Sequence, residues 1–357
     1  MHRGMKASVC IAAALYCISL AHSATPVPVS IGKTMVFKDW VAGCDNGLAC
    51  QAVALVPETN PDQQLSVVFK RSEGASAPLV IEIAGAQSKS ATYRILVDGK
   101  TASSGAISRD SDFIMVSGPA AIKLARVMSK GKAISVAGGD GADLGSASLA
   151  GAAAALRYID AQQGRAGSAG AVIAVGKKKA RVKAAALPVI TAKKIMPTNM
   201  LPDAAALVAL SESSPCAADR FGSTQDAAYS LGTGAGGTQA LVMLNCGAGA
   251  YNQASGIYTG QRDGTGKWTF APAKFDYVAT EIGETNKVPV LINSDWDAAT
   301  QSITSYNKAR GIGDCGSSES WVWDGAIFRL TAAAVMEECR GSLEWIPVWR
   351  AEVKLTP

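Results

Sequence analysis

Residues 37–56, FKDWVAGCDNGLACQAVALV, set Cys44 and Cys50 on either side of Asp45, Asn46 and Gly47. Asn-Gly between apolar runs is the strongest short-range hairpin signal, because both residues accept positive φ. The stretch therefore predicts two antiparallel strands joined at Asn46-Gly47, with the cysteines on facing positions. In an exported chain such a pair reads as a disulfide; in a reducing compartment it reads as a metal or redox centre. The C-x-x-C spacing of a redox motif is absent, so the compartment decides.

The first residues supply the compartment. His2, Arg3 and Lys6 form a basic start, Val9 to Leu20 is apolar, and Ala21-His22-Ser23 is a small-x-small cleavage pattern. This predicts a signal peptide over residues 1–23, too short for an anchor. Val9 and Tyr16, which precede Cys10 and Cys17, are not the small residues that a lipoprotein site needs. No later apolar run reaches the length of a membrane span.

Removing residues 1–23 leaves Cys44, Cys50, Cys216, Cys246, Cys315 and Cys339, removes both histidines, and lowers the formal net charge from +5 to +3. A chain without histidine has no Ser-His-Asp or Cys-His catalysis and no histidine zinc site. Carboxylates, lysine, tyrosine or a Ser-Lys pair remain. No metal and no cofactor are expected. Six cysteines allow fifteen pairings. With Cys44–Cys50 set by the turn, three remain, and Cys216–Cys246 with Cys315–Cys339 closes the shortest loops. Asp324-Gly325, between the last two cysteines, looks like a hairpin turn that would bring them together.

The composition shifts in mid-chain. Arg165 to Pro202 holds eight cations and no acid, so the rest of the mature chain sums to −5. We expect an N-terminal α+β domain over residues 24–176, a basic linker over 177–199 and a Trp-rich, mainly antiparallel β domain over 200–357. In the first, short β-rich runs precede a helix opened by Ser117-Gly118-Pro119 and closed by Gly131. A second helix is expected to be capped by Ser148 and stopped by Gly164. Residues 171–175, AVIAV, read as a closing strand. In the second, one helix near Pro202–Ser211 leads into strands punctuated by Gly and Asn.

The motifs WVAGCDNGLACQA, SLAGAAAALRYIDAQQGR, NCGAGAYN, WVWDG before FRL, and CRG before IPVWRA together resemble the domain-of-unknown-function 1176 family of exported Gram-negative proteins. ILVDGK, KGKAISV and SLAGAAAAL make the first domain similar also to the invasion-associated locus B family. These resemblances imply a periplasmic address and a two-part chain. They carry no reaction and no site residues.

Each local motif has a plainer reading. GTGAGG (232–237) fits G-x-G-x-x-G but precedes a strand, so it reads as a hairpin loop. GGDGADLG (138–145) is a single copy of a calcium-roll pattern that requires tandem copies. Ser129–Lys132 and Ser305–Lys308 have Ser-Lys spacing at a frequency that chance supplies. Asp295 and Asp297 would share one face of a strand. Trp321 with Trp323, and Trp345 with Trp349, would each face one way, as packing or as a platform for sugar rings.

The sequence thus points to a non-enzymatic periplasmic binding or envelope-associated protein. Its partner would be an envelope glycan or another envelope protein; nucleic acid is not expected, and the oligomeric state is left open. A histidine-free, carboxylate-dependent hydrolase of envelope glycans is the first alternative. A hydrolase inhibitor or host-contact protein is the second.

Overall fold

The computed structural model describes residues 28–58, 65–86, 90–106, 113–182, 185–220, 225–234, 236–285 and 287–357. The expected signal peptide, residues 1–23, lies outside the described residues. The N-terminal half runs β1 (Thr34–Phe37), β2 (Trp40–Cys44), β3 (Cys50–Ala54), β4 (Ser66–Arg71), β5 (Leu79–Ala84), β6 (Thr92–Val97), β7 (Lys100–Ala106), β8 (Phe113–Ser117), α1 (Gly118–Met128), β9 (Ala133–Gly138), β10 (Asp143–Ser148) and α2 (Ala152–Gln162). The C-terminal half runs β11 (Val189–Lys193), α3 (Ala204–Ser213), a 3-10 turn at Pro215–Asp219, β12 (Ala227–Gly234), β13 (Gly237–Ala248), β14 (Gln253–Arg262), β15 (Trp268–Pro272), β16 (Glu281–Ile282), β17 (Val288–Ile292), β18 (Asp295–Asp297), β19 (Ser302–Lys308), β20 (Gly316–Trp323), β21 (Phe328–Met336), β22 (Ile346–Arg350) and β23 (Glu352–Thr356).

Strands β1-β2-β3-β4-β5-β8 form one sheet and β10-β9-β6-β7 another. Helix α2 lies against β1 to β3, and α1 against β5, β7 and β8. Trp40, Phe69, Ile81, Leu124 and Leu156 belong to the core between these layers. The C-terminal half sets β12-β13-β14-β17-β16, with β15 beside β14, against β18-β19-β20-β21-β22. This is the expected α+β class, with a mainly antiparallel C-terminal half. Within the segment expected as a linker, Val189–Lys193 forms β11, which pairs in parallel with β23.

Every residue of β2 and β3 is buried. A sheet with one wet face would show burial on alternate residues only. Here Trp40, Ala42 and Ala52 face the first core. Val41, Val53, Leu55 and Val68 face the other way, into a core shared with Ile346, Val348 and Trp349. Gly43 permits the close approach: a Cβ there would lie 2.6 Å from Ile346 Cγ2.

The turn after β2 differs from the predicted Asn-Gly turn. Neither Asn46 nor Gly47 has positive φ; Leu48 does, at 70°. The Asp45 carboxylate organises the loop instead, accepting from Gly47 N at 2.9 Å and Ala49 N at 3.0 Å. Asn46 is thereby freed to bond the end of β22: its side chain donates to Arg350 O at 2.9 Å and accepts from Arg350 N at 2.7 Å. The Arg350 guanidinium pairs with Asp45 and, at 3.1 Å, with Glu73. Arg340 makes a second cross-tie, donating to Val56 O at 3.0 Å, Lys38 O at 2.8 Å and Asp39 Oδ1 at 2.6 Å.

Two local expectations are corrected. Ser148 does not cap a helix; it ends β10 and donates to Asp39 Oδ2 at 2.7 Å. α2 starts later, behind Gly151, whose φ of 104° and contact with Phe37 O (1.7 Å from a would-be Cβ) demand glycine. Residues 171–175 form no strand. Two of their amides are taken by the buried carboxylate of Asp160, which accepts from Val172 N at 2.8 Å and Ile173 N at 3.1 Å. Asp160 also lies 3.5 Å from Arg71 Nη1. Arg165, a cation of the basic stretch, is buried beside them and donates to Gln163 Oε1 at 3.0 Å, Ala75 O at 3.2 Å and Gly74 O. Burial pushes Arg71 down to about 10; Arg165 adds to the fall and Asp160 opposes it.

Asp160→Asn keeps the shape but leaves two buried guanidinium groups without their carboxylate. The expected loss is roughly 3–5 kcal/mol, read as a lower urea midpoint; an unchanged midpoint would contradict this account. Limited trypsin treatment is expected to cut first at Lys177, Lys178 or Lys179, which are exposed and lie outside helix and strand. Because the two halves share a core, the fragments should co-elute on gel filtration under native conditions. Separation without denaturant would mean that the shared core does not hold them.

Candidate functional site

Beyond β11 the chain continues as an extended strap, Lys194 to Thr198, fixed at both ends. At its start stands Gln301, buried and held at a φ of 56°. Its side-chain amide donates to Lys193 O at 2.9 Å and accepts from Ile195 N at 2.7 Å. These are the two bonds that a neighbouring strand would supply. Its own carbonyl accepts from Trp323 N at 3.1 Å, which ties the strap to the end of β20. At the far end Ser230 Oγ accepts from Thr198 N at 2.9 Å and from Gly232 N at 3.1 Å. A β-bulge between Ser230 and Gly232 turns β12 toward the strap.

The strap, the β12–β13 hairpin and the turn at Trp323-Asp324-Gly325 enclose a cleft of about 650 Å³. Lys193 and Lys194 stand on its wall, Ile195, Met196 and Leu231 give it apolar surface, and Thr233 and Gln239 add polar groups. Thr198 Oγ1 is buried there with no protein hydrogen-bond partner. Asp324, the carboxylate among the lining residues, is already engaged by Arg329 Nε at 2.8 Å and Ile327 N at 2.8 Å. The cleft therefore offers uncompensated positive charge. Gly232 and Gly234, from the glycine-rich run expected as a hairpin loop, line the cleft; they lie at the end of β12, and Gly237 of the same run opens β13.

The tryptophans go mostly to packing. Trp321, Trp323 and Trp349 are at most 4% exposed, and Trp321 Nε1 and Trp349 Nε1 donate to the carbonyls of Tyr277 (2.8 Å) and Leu330 (3.1 Å). Trp345 is half-buried and stacks on Tyr306 with ring centres 4.7 Å apart. The four do not form one open platform, because two stacked sheets and the outer face of β2 and β3 all need large side chains to fill the space between them. Only Trp323 borders the cleft.

The remaining candidates serve local structure. Asp297 accepts from Ala299 N at 2.8 Å and Thr300 Oγ1 at 2.7 Å, which holds its carboxyl below the usual range, and exposed Asp295 lies beside it on β18. Ser129 Oγ donates to Arg126 O at 3.0 Å. Ser305 bonds the backbone of Ile292, while Lys308 Nζ lies 5.7 Å from the centre of the Tyr251 ring. Residues 138–145 make the β9–β10 hairpin, where Asp140 and Asp143 accept amides two residues on. Disulfides join Cys44 to Cys50, Cys216 to Cys246 and Cys315 to Cys339. Among the described residues no three His, Cys, Asp or Glu side chains gather as a metal site requires. Nor is any described helix long and apolar enough to cross a membrane. Three disulfides fit an exported protein.

An N-terminal α+β half joined to a disulfide-braced β half that carries a basic cleft is the class of protein that this fold defines. The chain belongs to the family described as "Protein of unknown function (DUF1176)", whose model matches residues 34–352. It is similar to "Uncharacterized protein YpfG" of Escherichia coli (strain K12), 30% identical over 333 residues, covering 88% of this chain and 91% of that one. No solved structure matches.

Sequence reasoning missed Gln301 and Ser230, whose roles depend on partners far along the chain. It also missed Glu319 on β20, 7% exposed. Burial pushes its carboxyl above the usual range, against the hydrogen bonds of Ser317 and Ser305. A raised folded pKa means that the neutral acid favours folding. That contribution is full below the ordinary glutamate value of about 4.3 and is lost as pH rises through the folded value. Glu319→Gln is expected to raise the melting temperature at neutral pH by roughly 2–4 °C, with the gain vanishing in mild acid. A variant no more stable than the parent at neutral pH would refute this reading.

Proposed function

We propose that the protein is a non-catalytic binding protein of the cell envelope, exported to the periplasm, and that the cleft behind the strap takes an anionic glycan fragment. The observation that carries this reading is the charge of the cleft: Lys193 and Lys194 line it, while Asp324 is bound to Arg329 at 2.8 Å. Among the described lining residues no carboxylate joins the engaged Asp324 to complete an acid–base pair of the kind that glycan hydrolysis uses. Its volume of about 650 Å³ lies within the range that holds small ligands. Thr198 Oγ1 supplies a buried hydroxyl with an unused bond, and Met196 and Leu231 suit the methyl groups of acetamido and lactyl substituents.

Titration calorimetry tests the reading with two disaccharides of similar size. One is N-acetylglucosaminyl-N-acetylmuramic acid, which carries a carboxylate; the other is neutral di-N-acetylchitobiose. The acid should bind more tightly, and Lys193→Ala/Lys194→Ala should weaken it about tenfold, as expected for losing charge-assisted contacts. Equal affinity for the two sugars, or an unaffected double variant, would overturn the proposal. Cleavage of a longer muropeptide by the purified protein would favour the hydrolase instead.

A further inference from the structure

Residues 113–139 and residues 165–202 hold no acidic residue. The fold brings them together. Helix α1 comes from the first, and Arg126 on it donates to Val172 O at 2.9 Å and to Ala171 O at 3.2 Å in the second. α1 buries Ala121, Leu124, Ala125 and Met128. Its outer face presents Lys123, Arg126 and Lys130 around a shallow groove with Ile122 and Val127. Val127 is 39% exposed, and Val175 on the adjoining segment is 54% exposed. Lys177, Lys178, Lys179 and Arg181 follow, all exposed. At the far end of α1, Asp98 is occupied by the amides of Lys132 and Ala133, at 2.9 and 3.0 Å.

Like charges three and four residues apart on a helix repel one another. Lys123, Arg126 and Lys130 have that spacing, and neither of the two stretches supplies a carboxylate to relieve them. An anionic surface laid across the face would. We propose that this face docks on the anionic phospholipid surface of a membrane. The cations meet the headgroups, and Val127 and Val175 reach the boundary below them. A cation near an anionic bilayer raises partitioning about fivefold, so several on one face suffice for peripheral attachment without any spanning helix. The cleft lysines Lys193 and Lys194 are not part of this face, and the two sites stand or fall separately.

The test is co-sedimentation of the mature full-length protein with vesicles of phosphatidylglycerol and phosphatidylethanolamine, against vesicles of phosphatidylcholine alone. The protein should pellet with the anionic vesicles only, and added salt should release it. Lys123→Glu/Lys130→Glu should lower partitioning at least tenfold with its melting temperature unchanged, and Lys193→Ala/Lys194→Ala should bind like the parent. If the charge reversals disturb folding, Lys177→Ala/Lys178→Ala/Lys179→Ala serves in their place and should reduce partitioning in the same direction. Equal binding to both vesicle types, no binding to the anionic ones, or a correctly folded variant that binds like the parent would overturn the proposal. So would release by millimolar glycerol phosphate, which would make the face a site for free anions.

Discussion

The grip of Asp45, Asn46 and Glu73 on Arg350 is the interaction on which the rest of the molecule depends. Two residues of the β2–β3 turn take both the backbone and the guanidinium of a residue some three hundred positions later. The ion pair is partly buried and braced by amide bonds on both sides, the setting in which such a pair matters more than on an open surface. Once it forms, β22 lies across β2 and β3, and Val41, Val53 and Leu55 gain a core. Gly43 has no side chain because Ile346 occupies its place. The Cys44–Cys50 bridge holds the turn that presents Asp45 and Asn46.

The same logic builds the cleft. Its walls come from the strap after β11, the β12–β13 hairpin and the β20–β21 turn, and side-chain bonds to backbone hold them together. Gln301 stands in for a strand where no strand fits, at a backbone angle that costs energy for a residue with a Cβ. Ser230 turns one hydroxyl toward two amides. Such bonds let a strap run beside a sheet without closing onto it, and the space left over is the cleft.

The sequence disclosed what is local. Strand runs punctuated by glycine and asparagine disclosed the α+β class, and the Ser117-Gly118-Pro119 start marked α1. It misled where a local signal competes with a distant partner. Asn46 looked like a turn residue because of its neighbour Gly47, yet its amide is committed to Arg350. Residues 171–175 looked like a strand by composition, but the Asp160 carboxylate captures the amides of Val172 and Ile173. Alternating tryptophans fit a platform and a core equally well in one dimension. Only the presence of a second sheet separates the two. Gln301 left no periodic or motif trace, because its role is a pair of bonds to a segment more than a hundred residues away.

The packing of the β2–β3 hairpin against the penultimate strand has a consequence for how the chain comes to be folded. Synthesis delivers a polypeptide from its N-terminus. The first sheet can therefore close on α1 and α2 while the residues that will cover its other side have yet to emerge. During that interval Val41, Val53, Leu55 and Val68 form a wet apolar stripe, the kind of surface that attracts folding helpers and drives association between unfinished chains. Contacts so distant in sequence are slow to form. The C-terminal strands thus act as a late seal, and a chain that stops before Ile346 would keep its stripe uncovered for as long as it survives.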